Sequence, residues 1–268
     1  MSMGLSKYLW AWRILALVAA LALLGGCATA VRVPLSGVDP GYAVGESWAR
    51  VLARHVDPQG RVDFAGLARD RADLDRFVAW VYATGPNNQP QLFASRAAVL
   101  AYHLNAYNAL AMYNVIEAGL PQALSSFGER YDFFYRRTLR VGGHDISLYD
   151  YENKVIRPLG EERIHFALNC MAVSCPRLPR EPFSAANLEQ QLARATRSFF
   201  GEARNLTVDD QARTVRLSEI LQFYPEDFLA RAPSLAQYAA RQAGRTVPDD
   251  YAVSFTPYDW TINRQPQR

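Results

Sequence analysis

The chain has 268 residues, half of them hydrophobic and 21% charged, with a formal net charge of +3. That length and apolar content suit one large domain or two small ones and exclude an intrinsically disordered chain. So small a charge supplies no basic surface of the kind nucleic acid requires, and no nucleic-acid partner is expected.

The N-terminus reads MSMGLSKYLWAWRILALVAALALLGGC, with Lys7 and Arg13 ahead of an apolar run from Ile14 to Leu24. The run is too short to span a bilayer and has the form of a secretory signal. Its end, Leu24-Gly25-Gly26-Cys27, resembles the bacterial lipobox. The resemblance implies cleavage before Cys27, acylation of that cysteine with palmitate-type chains, and anchoring of the mature protein in a membrane. Ala28 follows where an aspartate would signal inner-membrane retention, which implies the periplasmic side of the outer membrane. Several chains on one residue anchor firmly, since each buried methylene contributes about 0.8 kcal/mol. The expected division is a signal peptide over 1–26, a lipid-tethered linker over 27–45 and a globular domain over 46–264. Loss of Lys7 and Arg13 with the signal lowers the net charge from +3 to +1.

Thr29 to Gly45, with Pro34, Gly37, Pro40 and Gly41, lacks periodicity and reads as linker. Trp48, Val51, Leu52 and His55 then recur at helical spacing, and Asp57-Pro58-Gln59-Gly60 forms a turn before a short extended piece at Val62 and Phe64. Asp57 and Asp63 lack the alternating oxygen ligands of a calcium loop. An amphipathic helix follows over Leu67 to Ala83. From Leu92 to Ala118 apolar residues surround a helix on nearly every side, which makes it the central element of the fold. Its polar members His103, Asn105, Tyr107, Asn108 and Asn114 must then find partners or line a cleft.

Arg137 to Leu148 has the form of a hairpin turning at Gly142-Gly143, and Tyr149 to Arg157 a short helix carrying Glu152. Ile164 to Leu168 is predicted to be a buried strand. Helices are predicted over Ala185 to Phe200 and Leu235 to Ala243, with a shorter helical piece from Ser218 to Phe223. A second hairpin pairs Asn205-Leu-Thr-Val with Thr214-Val-Arg-Leu, and Val253 and Phe255 are strand-like. The whole reads as one α+β domain with a central buried helix, two β-hairpins and a small sheet.

VLARHVDPQGRVDFAGL, AYHLNAYNAL, HDISLYDYENKVIRP, RIHFALNCMAVSCP, LSEILQFYPEDF and YDWTIN, in that order, resemble the bacterial family known as domain of unknown function 547. The resemblance runs from about residue 46 to 264 and implies membership of the family without implying an activity. Two positions depart from its pattern: His103 stands where the family carries the second of two aromatics, and Phe223 where it carries tryptophan.

The chemistry concentrates in RIHFALNCMAVSCP, Arg163 to Pro176. A thiol hydrolase or acyl/peptidyl transferase needs a cysteine, a histidine to take its proton and an oxygen to orient that histidine. Cys175, His165 and Asp259 are the candidates, with Cys170 and Asn105 as alternates and Arg163 and Arg177 as cations that would acidify a thiol. The order of elements follows the general plan of papain-like and transglutaminase-like proteins, but LNAYNAL puts no nucleophile on the central helix. Along an extended Ile164 to Cys170, His165 and Cys170 would face opposite sides, which favours Cys175. In an oxidising compartment Cys170 and Cys175 are expected to pair as a disulfide that fixes the loop's shape. Cys170, Cys175 and His165 are not spaced as zinc ligands, and neither metal nor cofactor is expected. The missing helix nucleophile and the expected disulfide favour the other reading, a non-catalytic envelope lipoprotein whose cleft, lined by Asn105, Tyr107, Asn108, Glu152 and Arg163, binds a peptide, a glycan or a small molecule. On that reading Glu152 pairs with Arg157 or Arg163.

Overall fold

The computed structural model describes residues 29–30 and 44–266. The expected signal peptide over 1–26, the lipidation site Cys27 and most of the 27–45 linker lie outside the described residues. Among the described residues no helix is long and apolar enough to cross a membrane.

The architecture is α+β: helices packed around a buried central helix, with two small sheets at their flanks. Strand β1 (Thr29–Ala30) runs parallel to Arg137 and Thr138, and helix α1 (Val44–His55) buries Trp48, Val51 and Leu52. The single helix predicted over Leu67 to Ala83 is two, α2 (Phe64–Arg69) and α3 (Ala72–Ala83). The split has a local cause. The Asp63 carboxylate caps the Gly66 N–H and starts the chain coiling early, and a break at Asp70–Arg71 reorients the stripe of Leu74, Phe77, Val78 and Val81 toward the core.

Helix α4 (Arg96–Glu117) is the predicted central helix, started by the Ser95 hydroxyl on the Ala98 N–H; from Leu100 to Val115 only Asn105 is not fully buried. Helix α5 (Phe127–Tyr131) opens with a capping box between Ser126 and Glu129 and widens into a π-helical turn over Asp132–Arg136. The first hairpin, β2 (Arg137–Val141) and β3 (His144–Ser147), turns at Gly142 and Gly143, whose φ of +57° and +90° only glycine accepts without strain. Helix α6 (Leu148–Asp150) passes into a second π-helical turn over Tyr151–Ile156 and a 3₁₀ turn over Arg157–Leu159.

The predicted buried strand at Ile164 to Leu168 is a 3₁₀ helix over Glu162–Phe166 instead. Its apolar run is too short to fix a period. The Glu161 carboxylate accepts the Arg163 N–H, and the Ile164 and Ala167 N–H groups bond back to Glu161 and Ile164. Strand alternation therefore does not separate His165 from Cys170.

Helix α7 (Leu188–Phe200) buries Leu188, Leu192 and Phe199. The second hairpin, β4 (Leu206–Asp209) and β5 (Thr214–Ser218), forms as predicted, and β6 (Ala252–Thr256) adds to β5 in parallel. Between them lie α8 (Ile220–Phe223), α9 (Pro225–Leu229) and α10 (Leu235–Gln242). A main core surrounds α4, and a smaller aromatic one gathers Phe166, Phe199, Phe200, Phe228 and Tyr238 under the second sheet.

Candidate functional site

Three parts of the fold converge on one open cleft of about 530 Å³: the side of α4 at Tyr107, the π and 3₁₀ turns at Glu152 and His165, and the loop carrying both cysteines. Its outer wall is aromatic. Phe127, Tyr131, Tyr135 and Tyr149 stack in sequence, with centroids 6.1, 5.5 and 4.3 Å apart. Phe127, Tyr131 and Tyr135 recur every fourth residue through α5 and its π turn, so their rings share one face. Phe127 is 77% exposed and the three tyrosines 40–48%. Tyr258, Trp260 and Phe223 form a second aromatic group in the cleft lining, with Arg130 over the Trp260 ring.

The floor is polar and buried. Tyr107 donates from its hydroxyl to Glu152 Oε2 at 3.1 Å. His165 stacks on Tyr224, with centroids 4.1 Å apart, and sits between two carboxylates: Nε2 lies 2.7 Å from Asp227 Oδ2, and Nδ1 3.8 Å from Glu152 Oε1. Arg157 grips Asp227 bidentately at 2.8 and 3.0 Å. Burial opposes ionisation of Asp227, but the His165 and Arg157 bonds and charges outweigh it and hold the carboxyl well below its ordinary range.

The cysteine loop is set by amides. Asn108 of α4 accepts the Asn169 N–H at 2.8 Å and donates to the Ala167 carbonyl at 3.0 Å. Asn169 in turn accepts the Met171 N–H at 2.6 Å and donates to the Pro176 carbonyl at 2.7 Å. These bonds over-determine Met171, whose φ of +70° is costly for a side chain of its kind. The tail clamps the loop from outside, through Asn263 N–H on the Met171 carbonyl and Val173 N–H on the Thr261 carbonyl, both at 2.8 Å.

Cys170 and Cys175 are free thiols with their sulfurs 2.6 Å apart, so the expected disulfide is not formed here. Cys175 is buried at 3% exposure and Cys170 is half-buried. The Tyr258 hydroxyl lies 3.1 Å from Cys175 Sγ and 3.4 Å from Cys170 Sγ, and the Cys170 N–H donates to Cys175 Sγ at 3.1 Å. Burial disfavours a Cys175 thiolate, but the Cys170 thiol, the Tyr258 hydroxyl and two backbone N–H groups outweigh it and lower its pKa below the ordinary thiol value. Cys170 is pushed well up by its bond to Cys175 and by burial.

The predicted site residues divide. Tyr107, Glu152, His165, Cys170 and Cys175 line the cleft together. Asn105 ties α1 to the 183 loop through Trp48 Nε1 and the Phe183 backbone, and Asn108 positions the cysteine loop. Arg163 pairs with Glu161 and Glu189, so neither expected ion pair to Glu152 forms; Arg157 is taken by Asp227 and Glu226. Asp259 is exposed and caps its own turn at the Thr261 N–H, and the carboxylate on His165 Nε2 is Asp227. Among the described residues no hydrogen bond joins His165 to either sulfur, and no group of three or more His, Cys, Asp or Glu side chains is arranged to hold a metal ion.

Asp227, Tyr224 and Tyr258 escaped the sequence reading as site residues, although each stands in one of the quoted blocks, YPEDF or YDWTIN, and Arg157 was expected on Glu152 rather than on Asp227. Block membership marked the segments without pairing them across the chain.

The family described as "Protein of unknown function, DUF547" matches residues 92–200, a span that takes in α4, Glu152, His165 and both cysteines. No curated protein and no solved structure matches the chain.

Proposed function

We propose, for a chain that carries a DUF547 domain, that it serves as a cell-envelope lipoprotein whose aromatic cleft binds a peptide or glycan ligand. The carrying observation is the wall of four stacked aromatics, 40–77% exposed, above a floor of buried, mutually bonded polar groups. Apolar walls with a few fixed polar groups are the usual make-up of a ligand site, and so much exposed aromatic surface on a folded domain calls for a contact partner. The lipobox at Cys27 supports a lipid-tethered position on the periplasmic side of the outer membrane.

Binding is tested by titrating the purified protein with solubilised cell-wall material separated into glycan strands and stem peptides, following tryptophan fluorescence from Trp260 beside the cleft. One fraction quenches the signal saturably, and Tyr135→Ala weakens it about tenfold, the worth of one stacking contact. Absence of binding by both fractions, or equal binding by Tyr135→Ala, would remove the reading. The anchoring half is tested separately by incorporation of labelled palmitate, which Cys27→Ser abolishes.

The acidified Cys175 thiol favours a second reading, a thiol-dependent hydrolase or acyl/peptidyl transferase with His165 as base. His165 faces carboxylates from both ring nitrogens, which leaves the thiol without its proton acceptor. Hydrolysis of a thioester or amide that is lost in Cys175→Ala and in His165→Gln would make the second reading the better one.

A further inference from the structure

We propose that Cys170 and Cys175 form a reversible dithiol–disulfide couple at the floor of the cleft, exchanging two electrons with disulfides and thiols that enter it. This concerns what the floor does and stands apart from which ligand the walls hold. The geometry carries it. The two sulfurs stand 2.6 Å apart, both line the open cleft, and the Tyr258 hydroxyl touches both. The loop is held in that form by Asn108 and Asn169 through backbone bonds that do not involve the sulfurs, so it does not depend on a disulfide to bring them together. His165, which a thiol acyl transferase would need on sulfur, is engaged with Asp227, and each cysteine has the other as its nearest proton partner. Exposure divides the labour: Cys170 is reachable from the cleft, while Cys175 lies beneath it.

When the pair has lost one of its two protons, the Cys170 thiol passes the remaining one to the Cys175 thiolate as Cys170 Sγ attacks one sulfur of an entering disulfide. The S–S bond of that disulfide breaks and a Cys170 mixed disulfide forms. The departing thiolate takes the proton from Cys175. Cys175 Sγ then attacks Cys170 Sγ, closing the Cys170–Cys175 bond and expelling the second thiolate. The pair is oxidised by two electrons and the entering disulfide is reduced to two thiols; the reverse sequence reduces the pair.

The test equilibrates the purified full chain in anaerobic glutathione buffers of fixed total concentration and graded reduced-to-oxidised ratio. Acid quenching, alkylation and mass analysis of the peptide spanning both cysteines give the state of the pair. The peptide passes from doubly alkylated to disulfide-closed through one two-electron transition within the series, and returns when the ratio is reversed. The Cys175→Ser variant traps glutathione on Cys170 at least tenfold more than Cys170→Ser traps it on Cys175. A peptide that stays doubly alkylated at every ratio, or stays closed at every ratio, overturns the couple, and this readout needs no variant. Equal trapping in the two variants overturns the assignment of Cys170 as the entry sulfur.

Discussion

The side-chain amide of Asn108, on the central helix, holds the backbone of Asn169 at 2.8 Å and so ties the cysteine loop to the most buried element of the fold. The same amide donates to the Ala167 carbonyl, so one residue satisfies both a donor and an acceptor that would otherwise be orphaned inside the protein. Asn108→Ala removes both bonds without giving water access. It is expected to cost about 2–4 kcal/mol of stability, measured as a fall in the urea midpoint at unchanged slope. In protein that remains folded, alkylation of Cys170 becomes faster as the loop loosens. An Asn108→Ala protein with unaltered midpoint and unaltered thiol reactivity would show that the tail clamp alone sets the loop.

Gly60 tests the opposite side of that loop. Its φ is +77°, and a Cβ there would lie 2.7 Å from the Leu178 nitrogen, just beyond the cysteine segment. Gly60→Ala therefore adds a steric conflict with backbone to a left-handed conformation that alanine resists. A loss of more than about 2 kcal/mol is expected by denaturant titration. Gly119 also has a positive φ, +80°, but has open space around the added carbon. Gly119→Ala should cost only about 1 kcal/mol, the conformational part alone.

The fold was legible where period and turn chemistry agree. The all-round apolar pattern of α4 identified the central helix, and Gly142-Gly143 identified the first hairpin. Ile164 to Leu168 failed because a short apolar run has no distinguishable period, and a single carboxylate at Glu161 turned it into a 3₁₀ helix. The cleft was half legible. Residues adjacent in sequence, His165 with Cys170 and Cys175, were found together, whereas Asp227, 62 positions from His165, was missed. Electrostatic pairing across such a separation leaves no periodic trace. For that reason Asp259, equally plausible by composition, was chosen as the carboxylate.

Asp227 offers a pH test of that pairing. Its folded-state carboxyl is depressed below its ordinary range, so folding favours the carboxylate. The stability this contributes is complete above the unfolded value near 4 and is lost as pH falls from there through the depressed folded value. Asp227→Asn keeps the shape and removes the charge. Thermal melts should show the variant less stable than wild type at pH 6, with the gap narrowing progressively below pH 4. A gap independent of pH would mean that Asp227 acts through its shape and hydrogen bonds alone.

His103 gives a second, separable pH signature. It is buried at 6% exposure, its Nδ1 lies 2.8 Å from the Tyr151 hydroxyl, and burial pushes its pKa down from 6.5 to about 4. The folded protein therefore holds this imidazole neutral while the unfolded chain protonates it below about pH 6.5. Stability is fully retained above pH 6.5 and falls as pH drops toward 4, where the folded form begins to take the proton as well. The shift corresponds to a loss on the order of 3 kcal/mol across that window. Phenylalanine fills nearly the same space and cannot titrate, but it leaves the Tyr151 hydroxyl without its partner, a roughly constant cost of about 1–2 kcal/mol. His103→Phe should accordingly be the less stable protein at pH 7 and the more stable one near pH 4.5, the two urea-midpoint curves crossing between. Parallel curves would show that the imidazole finds a way to carry its proton in the folded state, and the Tyr151 hydroxyl, able to accept as well as donate, is the group through which that would happen.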